Sequence, residues 1–227
     1  MFSKNSKVLI IAPHSDDETV GCGGTIAKLV KLGAKVHVML VVATDINGTL
    51  GETRLIEFEH ACKSLGANDM SVFLTENMSK QQYGFSADAH LDQVPIKDLI
   101  HAIEYVVDAF RPDTVFVTKG GYHQDHQVVE NAVFAALRPS RSFCPSNLLL
   151  YEQPTLIWGR EAMKPTLYVD ISNEIDAKIR ALRCHKSQMD KQELLMNEYQ
   201  IKRWAEVRGI ESRCKHAEAF EIVRLIL

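Results

Sequence analysis

The stretch Val8-Leu9-Ile10-Ile11-Ala12, continued by Pro13-His14-Ser15-Asp16-Asp17-Glu18, decides how the chain is read. Residues 8–12 form a short, continuously apolar run rich in β-branched side chains, the pattern of a strand buried on both faces. Outward from it, the spacing predicts a helix over Gly24–Leu32 ended by Gly33, a second buried strand over Val36–Ala43, and a helix over Glu52–Leu65 closed by Gly66. A short strand at Ser71–Leu74 and a polar surface loop over Gln81–Val94 come next, then a helix over Pro95–Phe110 and a strand at Thr114–Thr118. His126–Leu137 reads as helix stopped by Pro139, and Asn147–Glu152 and Leu167–Ile171 read as strands. Asn173–Gln188 and Lys191–Val207 read as helices, and Ala219–Leu227 as an apolar strand or helix. Such alternation predicts an α/β fold with a mostly parallel sheet and helices on both faces, in a single domain over residues 1–227.

Composition narrows the class of function. With 46% hydrophobic and 24% charged residues the chain is an ordinary soluble globular one, and a formal charge of −3 offers no attraction for nucleic acid or an anionic membrane. The longest apolar stretch is strand-length and contains His37, so no membrane insertion is expected; the polar Met1–Lys7 and the short run behind it predict no signal peptide. Five scattered cysteines without a C-x-x-C pair read as reduced thiols of a cytoplasmic protein. Nothing in the sequence fixes an oligomeric state.

Ligands of open parallel sheets bind outside the carboxyl ends of the strands, so the residues after Ala12 and after Thr118 are where chemistry is sought. Adjacent carboxylates at Asp16, Asp17 and Glu18 repel one another, and a divalent cation turns that repulsion into attraction. His14 and Asp17 are suited to ligate zinc or another first-row ion, which leaves Asp16 to handle protons. The plainer alternative is that these acids cap the next helix. After Thr118, Gly120 and Gly121 allow a sharp turn into His123-Gln124-Asp125-His126, two histidines flanking a carboxylate. Two such clusters converging on one crevice predict a catalytic metal with a position left for water, and hence amide or ester hydrolysis.

PHSDDETVGCGGTIAKL (residues 13–29) resembles the P-H-P-D-D-E-x-x-x-G-G signature of the PIG-L/LmbE-like family of N-acetylglucosaminyl deacetylases, and HQDH (123–126) its H-x-D-H element. Arg54 and Glu57 in GETRLIEFEHACKSLG, His185 in KIRALRCHKSQ, and RGIESRCKHAEAFEIVRL (208–225) are similar to further family elements, in family order. The resemblance implies a Rossmann-like fold and one zinc held by His14, Asp17 and His126, with iron(II) suited to the same ligands. It implies Asp16 as general base and then acid, His123 as oxyanion stabiliser oriented by Asp125, and substrate contacts from Arg54 and His185. The implied substrate is an acetylated amino sugar. Ser15 departs from the family's proline, which implies a less rigid loop. Tyr122 abuts His123 too closely to inherit the role of a family tyrosine.

Two other readings exist. Gly21-Cys22-Gly23-Gly24 with Asp45 mimics a dinucleotide fingerprint, although three acids would face the pyrophosphate and the first glycine comes late after the strand. The plainer account of these glycines is close packing of the helix on the sheet. A catalytically silent, metal- or sugar-binding member is the third class. His37, His60, His90, His101 and His216 show no comparable pattern and read as structural; Trp158 reads as a loop anchor or a sugar-stacking ring.

Overall fold

The apolar run at residues 8–12 lies at the centre of the sheet in the computed structural model, which describes residues 2–44, 50–83, 91–154, 162–189 and 197–226. The elements, in chain order, are β1 (Lys7–Ala12), α1 (Asp17–Lys31), β2 (Lys35–Ala43), α2 (Gly51–Leu65), β3 (Asp69–Thr75) and α3 (Glu76–Tyr83). A 3-10 turn (Leu91–Gln93) leads to α4 (Ile96–Phe110), β4 (Thr114–Thr118), α5 (Gln124–Ala136), β5 (Asn147–Tyr151) and β6 (Leu167–Asp170). The chain closes with α6 (Ile175–Leu182), α7 (Lys186–Met189), α8 (Glu198–Ser212) and β7 (Ala217–Arg224).

The strands order as β3-β2-β1-β4-β5-β7-β6. Pairing from β3 through β5 is parallel, whereas β7 runs antiparallel to both β5 and β6. The expectation of a mostly parallel sheet with helices on both faces holds. Alternate residues of β1 serve opposite layers, as a two-residue period dictates. Val8 and Ile10 pack with α1, α2 and α6, while Leu9 and Ile11 pack with α4 and α5. The chain winds one way from β1 to β3 and the other way from β4 to β5, so the crevice outside the ends of β1 and β4 is the switch point of the sheet.

Several boundaries differ from expectation, among them the Asn173–Gln188 helix, which is divided into α6 and α7, and two of them bear on the site. Helix α1 starts at Asp17 rather than Gly24, taking Gly21, Gly23 and Gly24 into its body. There Gly21 faces β5, where a Cβ would collide with the Tyr151 ring; a Cβ on Gly24 would come 2.6 Å from the side chain of Ile171, just past β6, and Gly23 faces Lys178 of α6. Glycine helix propensity is poor, and close approach to β5 overrides it. These glycines therefore do not form a phosphate-binding turn, which removes the nucleotide reading; Asp45 lies outside the described residues. The stretch expected as loop from Gln81 instead begins within α3, and its described end carries the buried Leu91 and Val94. Among the described residues no helix is long and apolar enough to cross a membrane.

The Gly21 contact is testable. Gly21→Ala is expected to lower the melting temperature by about 2–12 °C, the usual consequence of overpacking a filled core; an unchanged melting curve would contradict the close-packing account.

Candidate metal centre and active site

The loop after β1 is pinned over β2, where the Val42 N–H donates to the Pro13 carbonyl at 3.0 Å. It then turns so that the His14 backbone N–H donates to Asp17 Oδ2 at 2.8 Å. After β4, Gly121 adopts φ 56° and turns the chain into α5, whose first turn carries Asp125 and His126. The neighbouring strands thus deliver both clusters to one place.

Three electron-pair donors converge there. His126 Nε2 stands 3.3 Å from His14 Nδ1 and 3.2 Å from Asp17 Oδ2, and His14 Nδ1 stands 3.7 Å from that oxygen. Donors about 2.0–2.1 Å from a tetrahedral zinc lie roughly 3.3–3.4 Å from one another, so the set fits a zinc-sized cation. The far side of each donor is already engaged. His14 Nε2–H donates to Asp125 Oδ2 at 2.8 Å, which directs its Nδ1 lone pair inward. His126 Nδ1 is 3.3 Å from Thr118 Oγ1, and Asp17 Oδ1 accepts from Gln153 Nε2 at 2.8 Å. Burial lowers the His14 pKa despite the Asp125 hydrogen bond, keeping the ring neutral and able to ligate. Burial alone would raise Asp17; the adjacent His126 and the hydrogen bond from the His14 backbone N–H outweigh it and hold the carboxyl well below its ordinary range. His123 brings a further ring nitrogen within 4.8 Å of those of His14 and His126. That is a looser fit than Asp17 offers.

Asp16 stands beside this set. It precedes α1 with φ 116°, a conformation costly for a non-glycine residue, and its carboxylate makes no capping bond to the helix. Asp16 is thus not spent on capping, whereas Asp17 and Glu18 lie in the first turn of α1, as the plainer reading supposed. The Asp16 N–H is held by Glu18 Oε2 at 3.2 Å, and its carbonyl accepts from the Thr19 and Val20 N–H groups. Burial and the neighbouring Asp17 charge push the Asp16 carboxyl up to about 7, against the pull of Arg54 and His185. Only 7% of the residue is exposed.

Residues 9–137, more than half of the chain, match the PIG-L family, described as GlcNAc-PI de-N-acetylase. The chain belongs to the PIG-L family. It is 28% identical over 240 residues to the diacetylchitobiose deacetylase of Thermococcus kodakarensis, covering 98% of this chain and 85% of that one. Among solved structures it resembles the N,N'-diacetylchitobiose deacetylase of Pyrococcus horikoshii, with a TM-score of 0.74 and 22% identity over 96% of this chain and 84% of that one. It also resembles GalB, the 4-carboxy-2-hydroxymuconate hydratase of Pseudomonas putida, with a TM-score of 0.69 and 21% identity over 98% of each chain. At that identity the structural likeness speaks for the fold alone. PIG-L membership rests on the sequence match.

Against the PIG-L-derived expectations, some residues are placed differently. Asp125 does not orient His123: its carboxylate bonds His14, and its other oxygen accepts the Leu91 N–H at 3.0 Å. Among the described residues His123 Nδ1 is buried without a partner, and burial together with His14 and His126 lowers its pKa to about 4. His185 has 0% exposure and thus no surface to offer a substrate; its Nε2 is 3.0 Å from Glu18 Oε1, and its Nδ1 3.3 Å from Ser15 Oγ. Burial works against its protonation, but the Glu18 charge and hydrogen bond prevail and raise its pKa. Arg54 is buried as well, its Nη2 donating to the Ser15 carbonyl at 3.0 Å, while the Ser15 hydroxyl donates back to the Arg54 carbonyl at 2.8 Å. Serine thereby ties down a loop that a proline would stiffen. Glu57 accepts from the Ser187 N–H and hydroxyl. Tyr122 is half-exposed beside His123, and Trp158 and His90 lie outside the described residues.

Sequence reasoning missed Gln153. It lies just beyond β5, at the carboxyl end of the strand beside β4, and the rule that led to the other two loops would have led there too.

The placement of His185 separates two roles. Removing one member of a buried pair costs about 3–5 kcal/mol, so His185→Ala is expected to lower the melting temperature markedly. A side chain serving only to touch substrate would leave thermal stability unchanged, and that result would restore the earlier expectation.

Proposed function

We propose that this chain hydrolyses the N-acetyl group of an N-acetylglucosamine-type sugar or glycoconjugate, using zinc held by His14 Nδ1, Asp17 Oδ2 and His126 Nε2. The observation carrying this reading is the mutual approach of those donors, at 3.2, 3.3 and 3.7 Å, with their outer atoms already bonded. The deacetylase family and the similarity to the diacetylchitobiose deacetylase of Thermococcus kodakarensis support the acetylated sugar as substrate class.

Bound zinc supplies Lewis acidity, making a water more acidic and polarising an amide carbonyl. Asp16 is the proton carrier, its carboxyl pushed up to about 7 in the free protein and not engaged in capping the helix it precedes. As water adds to the amide carbon, the Asp16 carboxylate takes the water proton. As the C–N bond breaks, the same group returns it to the amine nitrogen, releasing acetate and a free amino sugar. His123, neutral beside His14, donates its N–H to the oxygen on which negative charge builds. Asp125 acts one step removed by fixing the His14 tautomer. Arg54 positions the Asp16 loop through the Ser15 carbonyl. Iron(II) suits the same donors, and metal analysis of protein purified without chelator identifies the native ion.

An acetate-release assay over a panel of N-acetyl sugars, with zinc added and with chelator as control, tests the reading. Expected is turnover of at least one N-acetylglucosamine derivative that chelation abolishes and zinc restores. Metal-loaded protein inactive on every acetylated sugar would reject it in favour of a silent binder. Asp16→Ala is expected to lose turnover by a factor of about 10²–10⁴ while still binding one zinc; retained activity removes Asp16 from the chemistry. His14→Ala and His126→Ala are expected to lose the metal itself, and full zinc occupancy in both would reject the ligand set.

A further inference from the structure

We infer that Gln153 fixes Asp17 as a one-oxygen metal ligand. The inference rests on the metal reading above and adds a positioning residue that belongs to neither sequence cluster. Gln153 follows β5 and is 4% exposed. Its Nε2 donates to Asp17 Oδ1 at 2.8 Å and to the Asp17 carbonyl at 3.3 Å. Both are acceptors only, so the amide must present its NH2 to them and its orientation is chemically determined.

The two oxygens of Asp17 are thereby made different. Oδ1 is committed to the amide, whereas Oδ2 accepts the His14 N–H at 2.8 Å and stands 3.2 Å from His126 Nε2. A carboxylate free at both oxygens can swing or grip a cation with both. With Oδ1 taken, Asp17 ligates through Oδ2 alone, and the coordination position that bidentate binding would occupy stays available to water and substrate.

A second observation argues against a purely packing role. Among the described residues, Gln153 Oε1 is buried and without a partner. An unsatisfied buried carbonyl is unfavourable, and an apolar side chain of the same shape would avoid it. The amide N–H is the feature that only glutamine's end group supplies here.

The test compares the wild-type protein with Gln153→Met and Gln153→Leu, which keep the volume and delete the donor. Zinc affinity is measured by competition with a chromophoric chelator, and the visible spectrum of the cobalt(II)-loaded protein reports coordination number. Expected in the variants is a roughly 10–100-fold weaker zinc affinity and a weaker cobalt d–d band, as coordination number rises when Asp17 closes on the metal with both oxygens. A folded variant with zinc affinity within about twofold of wild type and an unchanged cobalt spectrum would overturn the inference, since a hydrogen bond that orients a metal ligand cannot be deleted without such a loss. Failure of both variants to fold would assign Gln153 to the fold and overturn it as well. Wild-type protein that takes up no zinc would fail the metal reading itself, an outcome distinct from either of these.

Discussion

Lone pairs on His14 Nδ1, His126 Nε2 and Asp17 Oδ2 face one another at close range, and the surrounding structure keeps them there. Such atoms repel when bare and are drawn together by a cation, so their mutual approach defines the constraint on the fold. Parallel pairing of β1 with β4 sets the two loops side by side. Asp125, Thr118 and Gln153 then take the outer atoms of the three donor side chains, so that each can present only one atom inward.

The same loop carries a strained residue. Asp16 holds a positive φ because its N–H is caught by Glu18 and its carbonyl by the start of α1, while Ser15 is clasped to Arg54 on its other side. Glu18 is in turn held by His185 and Thr19. This buried network lies behind the carboxylate, and its function is orientation: it turns Asp16 out of the capping geometry that an acid at a helix start would otherwise adopt. Low dielectric and the neighbouring Asp17 charge then bring the Asp16 carboxyl to a range where it can both accept and give up a proton.

How much of this was legible in the sequence depends on the range of the interaction. The strands β1 and β4 announce themselves by continuous apolar runs, and the rule for ligands at strand ends then points to the loops that carry His14, Asp17 and His126. The start of α1 was not legible, because acids followed by a glycine-rich stretch read locally as a loop; contact with Tyr151 and Ile171, far along the chain, makes the helix form. Partner choice was equally hidden. Asp125 lies next but one to His123 in sequence yet bonds His14, 111 residues away, and Gln153 reaches Asp17 across 136. His185 matched a family pattern, but only packing reveals that it faces Glu18 in the interior.

The central claim, that two distant stretches of chain share one divalent ion, is tested most directly by diffraction at the zinc absorption edge from crystals grown with zinc. One anomalous peak is predicted, about 2.0–2.2 Å from His14 Nδ1, Asp17 Oδ2 and His126 Nε2. A peak held through His14 Nε2, a peak touching only one of the two loops, or none in the crevice would contradict the account.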